Sequence, residues 1–316
     1  MMASLRNANL DALRGLAIIL MIIGHVQTPF RDFIFSFHMP LFFFISGYLY
    51  KEKTLNEVLE RNFKKVILPF LVTCMAIWFC WIVTKGRWDW GLSIILANGS
   101  MPVYNFTGYA VGPLWFLMCY FVSIVGFKYL LSVRNYILRL VIVLLLWGAA
   151  YLYNKHFGLL PLSLLNAIPA VFCMLFGYAL KSDDSKKILV SPIALSCGFI
   201  IWICCVIYGN VSMASFIYKL GPLQIIGAFY ATYFLYTIIV KTNMGGVISY
   251  LGVISLCILC IHSFDYAFKI SDRICDVLQL PSASIAALIN IALKCAFVCC
   301  GVIIIKRIDF LKRIYL

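Results

Sequence analysis

Two ionisable side chains, Arg14 and His25, interrupt the first long apolar run of this sequence. Ionisable groups inside a membrane helix are expensive and mark function by default. On a helix, the step from 14 to 25 turns about 20° past three full turns and rises about 16.5 Å. Both side chains therefore share one face at different depths. A cation and an imidazole so placed suit a long ligand with an anionic head and a reactive end. A snorkelling arginine beside an unrelated core histidine is the plainer alternative. Asp11, one turn before Arg14, can pair with it on the helix surface.

Two further histidines stand at comparable positions. His38 opens the second apolar run, and His262 lies within the ninth. Ser255, seven residues before His262, shares its face. Asp265, three residues after it, can orient the imidazole or raise its basicity. Helices that alternate in direction bring His25, His38 and His262 to one depth. His156 falls in a loop and reads as solvated. Ser46-Gly47 reads as a close-packing pair.

Segment 51–65 concentrates charge. Thr54-Leu55-Asn56-Glu57 is a capping box, so a helix starts there. Leu55, Leu59 and Phe63 give that helix an apolar side, as in an interfacial helix. Arg61, Lys64 and Lys65 stand at i, i+3 and i+4, a basic face that can hold phosphates or lipid headgroups.

The elements that must position these groups follow from composition. Of 316 residues, 64% are hydrophobic and 12% charged, and the mean hydropathy is +0.98. Those values exclude a soluble globular domain. They also exclude a disordered chain or a nucleic-acid module, despite a net charge of +14. The apolar runs are continuous rather than alternating, which excludes a β-barrel. The chain reads as an all-α polytopic membrane protein, with one domain over 1–316. Ten helices are predicted, at 10–28, 33–50, 66–84, 113–132, 139–153, 161–180, 190–208, 216–240, 247–268 and 284–305. The short run 91–97 reads as a re-entrant or surface piece. With the amino terminus inside, sixteen basic residues, Arg6 among them, fall on inner segments and seven on outer ones. That bias predicts both termini in the cytosol. The polar stretch after the first run lacks a small-residue cleavage site, so this run reads as a retained helix. Twelve of the 13 cysteines sit in apolar runs and Cys275 in a loop. Cys257-x-x-Cys260 reads as packing, and no metal site is expected.

At these residues the sequence resembles the acyltransferase-3 family of integral membrane O-acyltransferases. Leu10-Asp11-Ala12-Leu13-Arg14 followed by His25 is similar to its Arg-x10-His signature. Phe44-Ile45-Ser46-Gly47-Tyr48, the basic stretch Arg61 to Pro69, Gly112-Pro113-Leu114-Trp115 and Leu251-Gly252…Ser255…His262 follow in the family's order. Lys64 and Lys65 stand where arginines are common in the family. The resemblance implies that Arg14 and His25 are essential. It also implies that cytosolic acetyl-CoA, or another acyl-CoA, is the co-substrate. The acceptor it implies is a hydroxyl of a surface or lipid-linked glycan, such as an O-antigen or capsule. A bacterial inner-membrane location goes with this. Under that reading Arg14, Arg61, Lys64 and Lys65 hold the CoA phosphates. His25 is the general base or a transient acyl carrier. His38, His262, Ser255 and Trp115 assist catalysis or bind the acceptor. The expected partners are acyl-CoA, the glycan and membrane lipids, without nucleic acid. A sugar or glycolipid permease using the same buried groups is the alternative, and a non-catalytic assembly subunit is a third.

Overall fold

The structure is a computed structural model that describes residues 7–103, 108–279 and 282–316. Arg6 of the charge count, and residues 104–107 of the long loop, lie outside the described residues. The helices are α1 Ala8–Gly24, α2 Arg31–Phe35, α3 His38–Tyr48, α4 Leu55–Asn62, α5 Leu68–Lys85 and α6 Gly91–Leu96. They continue with α7 Trp115–Leu131, α8 Tyr136–Phe157, α9 Leu164–Ala179, α10 Asp183–Leu189, α11 Pro192–Tyr208 and α12 Leu223–Thr242. The last are α13 Val247–Val253, α14 Ser255–Phe268, α15 Ile270–Leu278, α16 Ala283–Arg307 and α17 Asp309–Tyr315. A two-residue antiparallel pair, β1 Val211–Ser212 with β2 Ile217–Tyr218, is the sheet among the described residues.

Each of the ten expected segments contains a helix, but their lengths differ. Among the described residues, six helices are long and apolar enough to cross a membrane, and two bent pairs raise the number to eight if each pair is one span. Those pairs are α10 with α11, bent by 57°, and α13 with α14, bent by 76°. The helices in the first two expected spans are shorter than predicted and are not among these. α1 stops after 17 residues, where Gln27, Thr28 and Pro29 follow. The second splits into α2 and α3. Pro40 has no N–H to give the Ser36 carbonyl four residues back, and the break falls at Ser36–Phe37. The run 91–97 forms the short helix α6. Cys275 lies in the helix α15 rather than in a loop. The expected start of the eighth span, 216–222, is instead taken up by β2 and the turn that follows it.

α1 lies at the centre, packed against α2, α3, α12, α13, α14 and α16. Two crossings are so close that only glycine fits. A methyl added at Gly15 overlaps the Ile248 carbonyl, and one at Gly252 overlaps the Asp11 carbonyl, locking α1 on α13. Gly47 and Gly177 do the same between α3 and α9, meeting the Met174 and Phe44 carbonyls. Small residues at helix contacts drive association where lipid offers no hydrophobic contrast. α8 and α16 turn Ile137, Leu145, Leu152, Leu288 and Ile304 outward. So much exposed apolar surface on long helices is the surface of an integral membrane protein.

Candidate active site

Two cavities lie end to end along one face of α1. The first, of about 630 Å³, is lined by Arg14, Lys51, Lys53, Arg61 and Lys65, with Ser46 and Ser255 deeper in. The second, of about 480 Å³, is lined by His25, His38, Arg31, Trp115 and Tyr266. Met21, Met39 and Leu259 line both and form the wall between them. Arg14 and His25 thus do face the same side of α1, about 16.5 Å apart along its axis, one in each cavity.

The first cavity gathers five cations, and none of its described lining residues is a carboxylate. The capping box forms as expected: Glu57 N–H donates to Thr54 Oγ1, and Thr54 N–H donates to the Glu57 carboxylate at 2.8 Å. α4 runs into α5 through a π turn at Phe63–Ile67, where Leu68 N–H donates to Phe63 O. Pro69 cannot supply the bond its place in the helix requires, and the wider turn absorbs that defect. The π turn also upsets the i, i+3, i+4 spacing behind the expected basic face. Arg61 and Lys65 line the cavity. Lys64 does not: it turns back to Glu60 at 2.7 Å, with both side chains exposed. Val58 is the buried apolar contact of α4, and Phe63 is half exposed.

Lys51 and Lys53 stand where Lys64 was expected. Their loop is held from beneath, since Lys128 Nζ donates to Lys53 O at 2.6 Å and Lys181 Nζ donates to Tyr50 O. The sequence signal was there, four basic residues between 51 and 64, but nothing in it said which would turn inward. Arg14 pairs with Asp11 at 3.3 Å, as its spacing suggests, and stays partly exposed to the cavity.

The second cavity is built around aromatic and imidazole rings, with His38 and Trp115 buried and His25 partly so. His25 Nδ1 donates to Met21 O at 2.7 Å, and His38 Nδ1 donates to Ile34 O at 2.9 Å. A carbonyl only accepts, so each ring carries its proton on Nδ1. In the neutral ring Nε2 is left with a lone pair. The His262 ring lies 5.1 Å from that of His25, and Tyr266 lies 5.2 Å from it on another side. His262 is fully buried and neither of its nitrogens has a hydrogen-bond partner.

Asp265 does not orient His262. One of its oxygens pairs with Lys294 Nζ at 2.7 Å, and the other accepts from Ser271 N–H and Oγ at 2.8 and 2.7 Å. Its acceptor sites are committed to α15 and α16. Lys294, 1% exposed in the middle of α16, also lies 3.4 Å from Asp272. A lysine inside an apolar run was the available sign of this cluster. Ser255 and His262 do share a face of α14, but Ser255 lines the first cavity, whereas His262 lies buried against the His25 ring and lines neither cavity.

Two buried asparagines hold the walls of the second cavity. Asn98 donates to Leu160 O at 2.8 Å and accepts from Ser163 N–H at 3.1 Å. Asn166 donates to Met213 O and Ala214 O, at 2.5 and 2.9 Å. Sequence reading passed over both, because a polar residue near a loop is ordinary until its burial is known. His156 is exposed at the end of α8, away from both cavities.

A family model described as an acyltransferase domain, that of the acyltransferase-3 family, matches residues 7–305. The nodulation protein NolL of Mesorhizobium japonicum is 27% identical over 139 residues, 38% of this chain. The match spans about a third, 35%, of that relative's length. No solved structure matches. A family match over nearly the whole chain, on a scaffold of helices long and apolar enough to cross a membrane, places this chain in the acyltransferase-3 family.

Proposed function

We propose that the protein is an O-acyltransferase that moves an acyl group, acetyl in the first instance, from acyl-CoA to a hydroxyl of a cell-surface or lipid-linked glycan. The observation that carries this reading is the pair of cavities meeting at Met21, Met39 and Leu259. Five cations without a lining carboxylate suit the phosphates of CoA. In this reading the nucleotide stays among Arg14, Lys51, Lys53, Arg61 and Lys65. The pantetheine arm follows the face of α1 towards His25. In this reading the first cavity opens on the cytosolic side, which the basic-residue bias favours and where acyl-CoA is made; a bacterial inner membrane is the location the family resemblance implies. Trp115 and Tyr266, with Gln27 and the serines 100, 212 and 215, suit a sugar: aromatic faces with hydroxyl and amide partners.

The chemistry then follows from the His25 tautomer. The acceptor oxygen attacks the thioester carbonyl and its proton passes to Nε2 of His25. The C–S bond breaks, and the departing sulfur takes that proton as free CoA. The Met21 carbonyl, holding Nδ1–H, favours the ring as it gains charge. The deciding experiment follows free-thiol release from acetyl-CoA by protein in liposomes, together with glycan mass analysis of a strain lacking the protein. Thiol release with loss of acetyl-sized increments supports the reading. Sugar flux without CoA consumption replaces it with a permease.

A further inference from the structure

We infer that the wall of Met21, Met39 and Leu259 is the passage through which the acyl group must thread, and that it restricts the enzyme to small, uncharged acyl groups. The inference rests on the proposal that acyl-CoA enters through the Arg14 cavity. These three side chains come from α1, α3 and α14 and alone line both cavities among the described residues. Met21 and Leu259 are buried and Met39 is partly so. Met21 lies on the Arg14–His25 stripe, one turn below His25, or about 6 Å along the axis. An acyl-CoA threaded from the Arg14 cavity carries its acyl group ahead of the sulfur, so that group must pass this wall before its carbonyl comes within reach of His25 Nε2.

Two consequences follow from the atoms present. The wall offers methyl, methylene and thioether groups and no hydrogen-bond donor. A carboxylate on the acyl chain, as in succinyl, would lose its water there with nothing to replace it. A branched acyl group is wider than the unbranched cysteamine end of the pantetheine arm that would occupy the passage, so it would have to force three packed side chains apart. Methionines yield more readily than branched residues, which lets the passage open for a slim group and close behind it.

The test uses the full-length protein in liposomes with acetyl-, isobutyryl- and succinyl-CoA, reading free-thiol release. Wild type should use acetyl-CoA and reject the other two. Met39→Ala and Leu259→Ala should each raise the isobutyryl-to-acetyl ratio by about tenfold or more, while succinyl-CoA stays excluded. Thermal protection by free CoA checks folding of each variant and binding at the first cavity. If CoA protects but wild type accepts succinyl-CoA as well as acetyl-CoA, the inference is overturned. It is equally overturned if both variants keep the wild-type ratio. If CoA protects neither wild type nor variant, the proposed entry of acyl-CoA fails, and the inference with it.

Discussion

The two cavities share one helix face and are built in opposite ways. Around Arg14 the polar groups are long cationic side chains, most of them exposed, on a loop and on the turns that lead into α5. Around His25 they are short rings, two of them pinned to a backbone carbonyl one turn back, with walls tied by buried asparagines. Flexible charges capture a diffusing polyanion and let it go. Pinned imidazoles hold a reacting atom in place, and positioning of that kind supplies much of an enzyme's rate. On the proposed function, the difference assigns binding to one end of this face of α1 and chemistry to the other, and damage to one region should then leave the other measurable.

The most direct way to break this comparison is at His25. His25→Gln should lower acyl transfer by about 10²- to 10⁴-fold while thermal protection by CoA persists. Loss of both together would mean that the cavities do not divide the work as described. Next in size is the cluster under the His25 cavity. Lys294→Met leaves the fully buried Asp265 without its cation and should cost about 3–5 kcal/mol of stability in detergent. Adding Asp265→Asn should return part of that loss, and a double variant no better than the single would show that the pair does not act as a unit.

Smaller effects sharpen the other side. Arg61→Gln should weaken CoA binding by about two- to fivefold, and the difference should shrink in high salt because exposed charges are screened. Titration of CoA by thermal shift at two salt concentrations reads this out. Lys64→Gln is the smallest. Lys64 faces Glu60 and not the cavity, so CoA affinity should stay within about twofold of wild type. A loss as large as that of Arg61→Gln would return Lys64 to the binding face.

The glycine crossings show where sequence and structure meet. Gly47 read as a packing position from its neighbour Ser46 and its place in an aromatic helix, and α9 does press its Met174 carbonyl there. Gly15 and Gly252 gave no such reading by themselves, because their partners lie more than two hundred residues apart in the chain.

Composition and periodicity alone determined that this is a helical membrane protein, where ten helical segments lie, that Arg14 and His25 share a stripe, and that a helix begins after Thr54. All of these depend on hydropathy or on spacing within one element, which a linear chain carries in full. Which lysines turn into the first cavity, what Asp265 binds, and which residues separate the cations from the imidazoles were decided only in three dimensions. A π turn rotates Lys64 away, Lys294 reaches Asp265 from another helix, and the dividing wall takes one side chain from each of three helices. Contacts between elements depend on how helices cross, and crossing is set by packing that no single segment encodes.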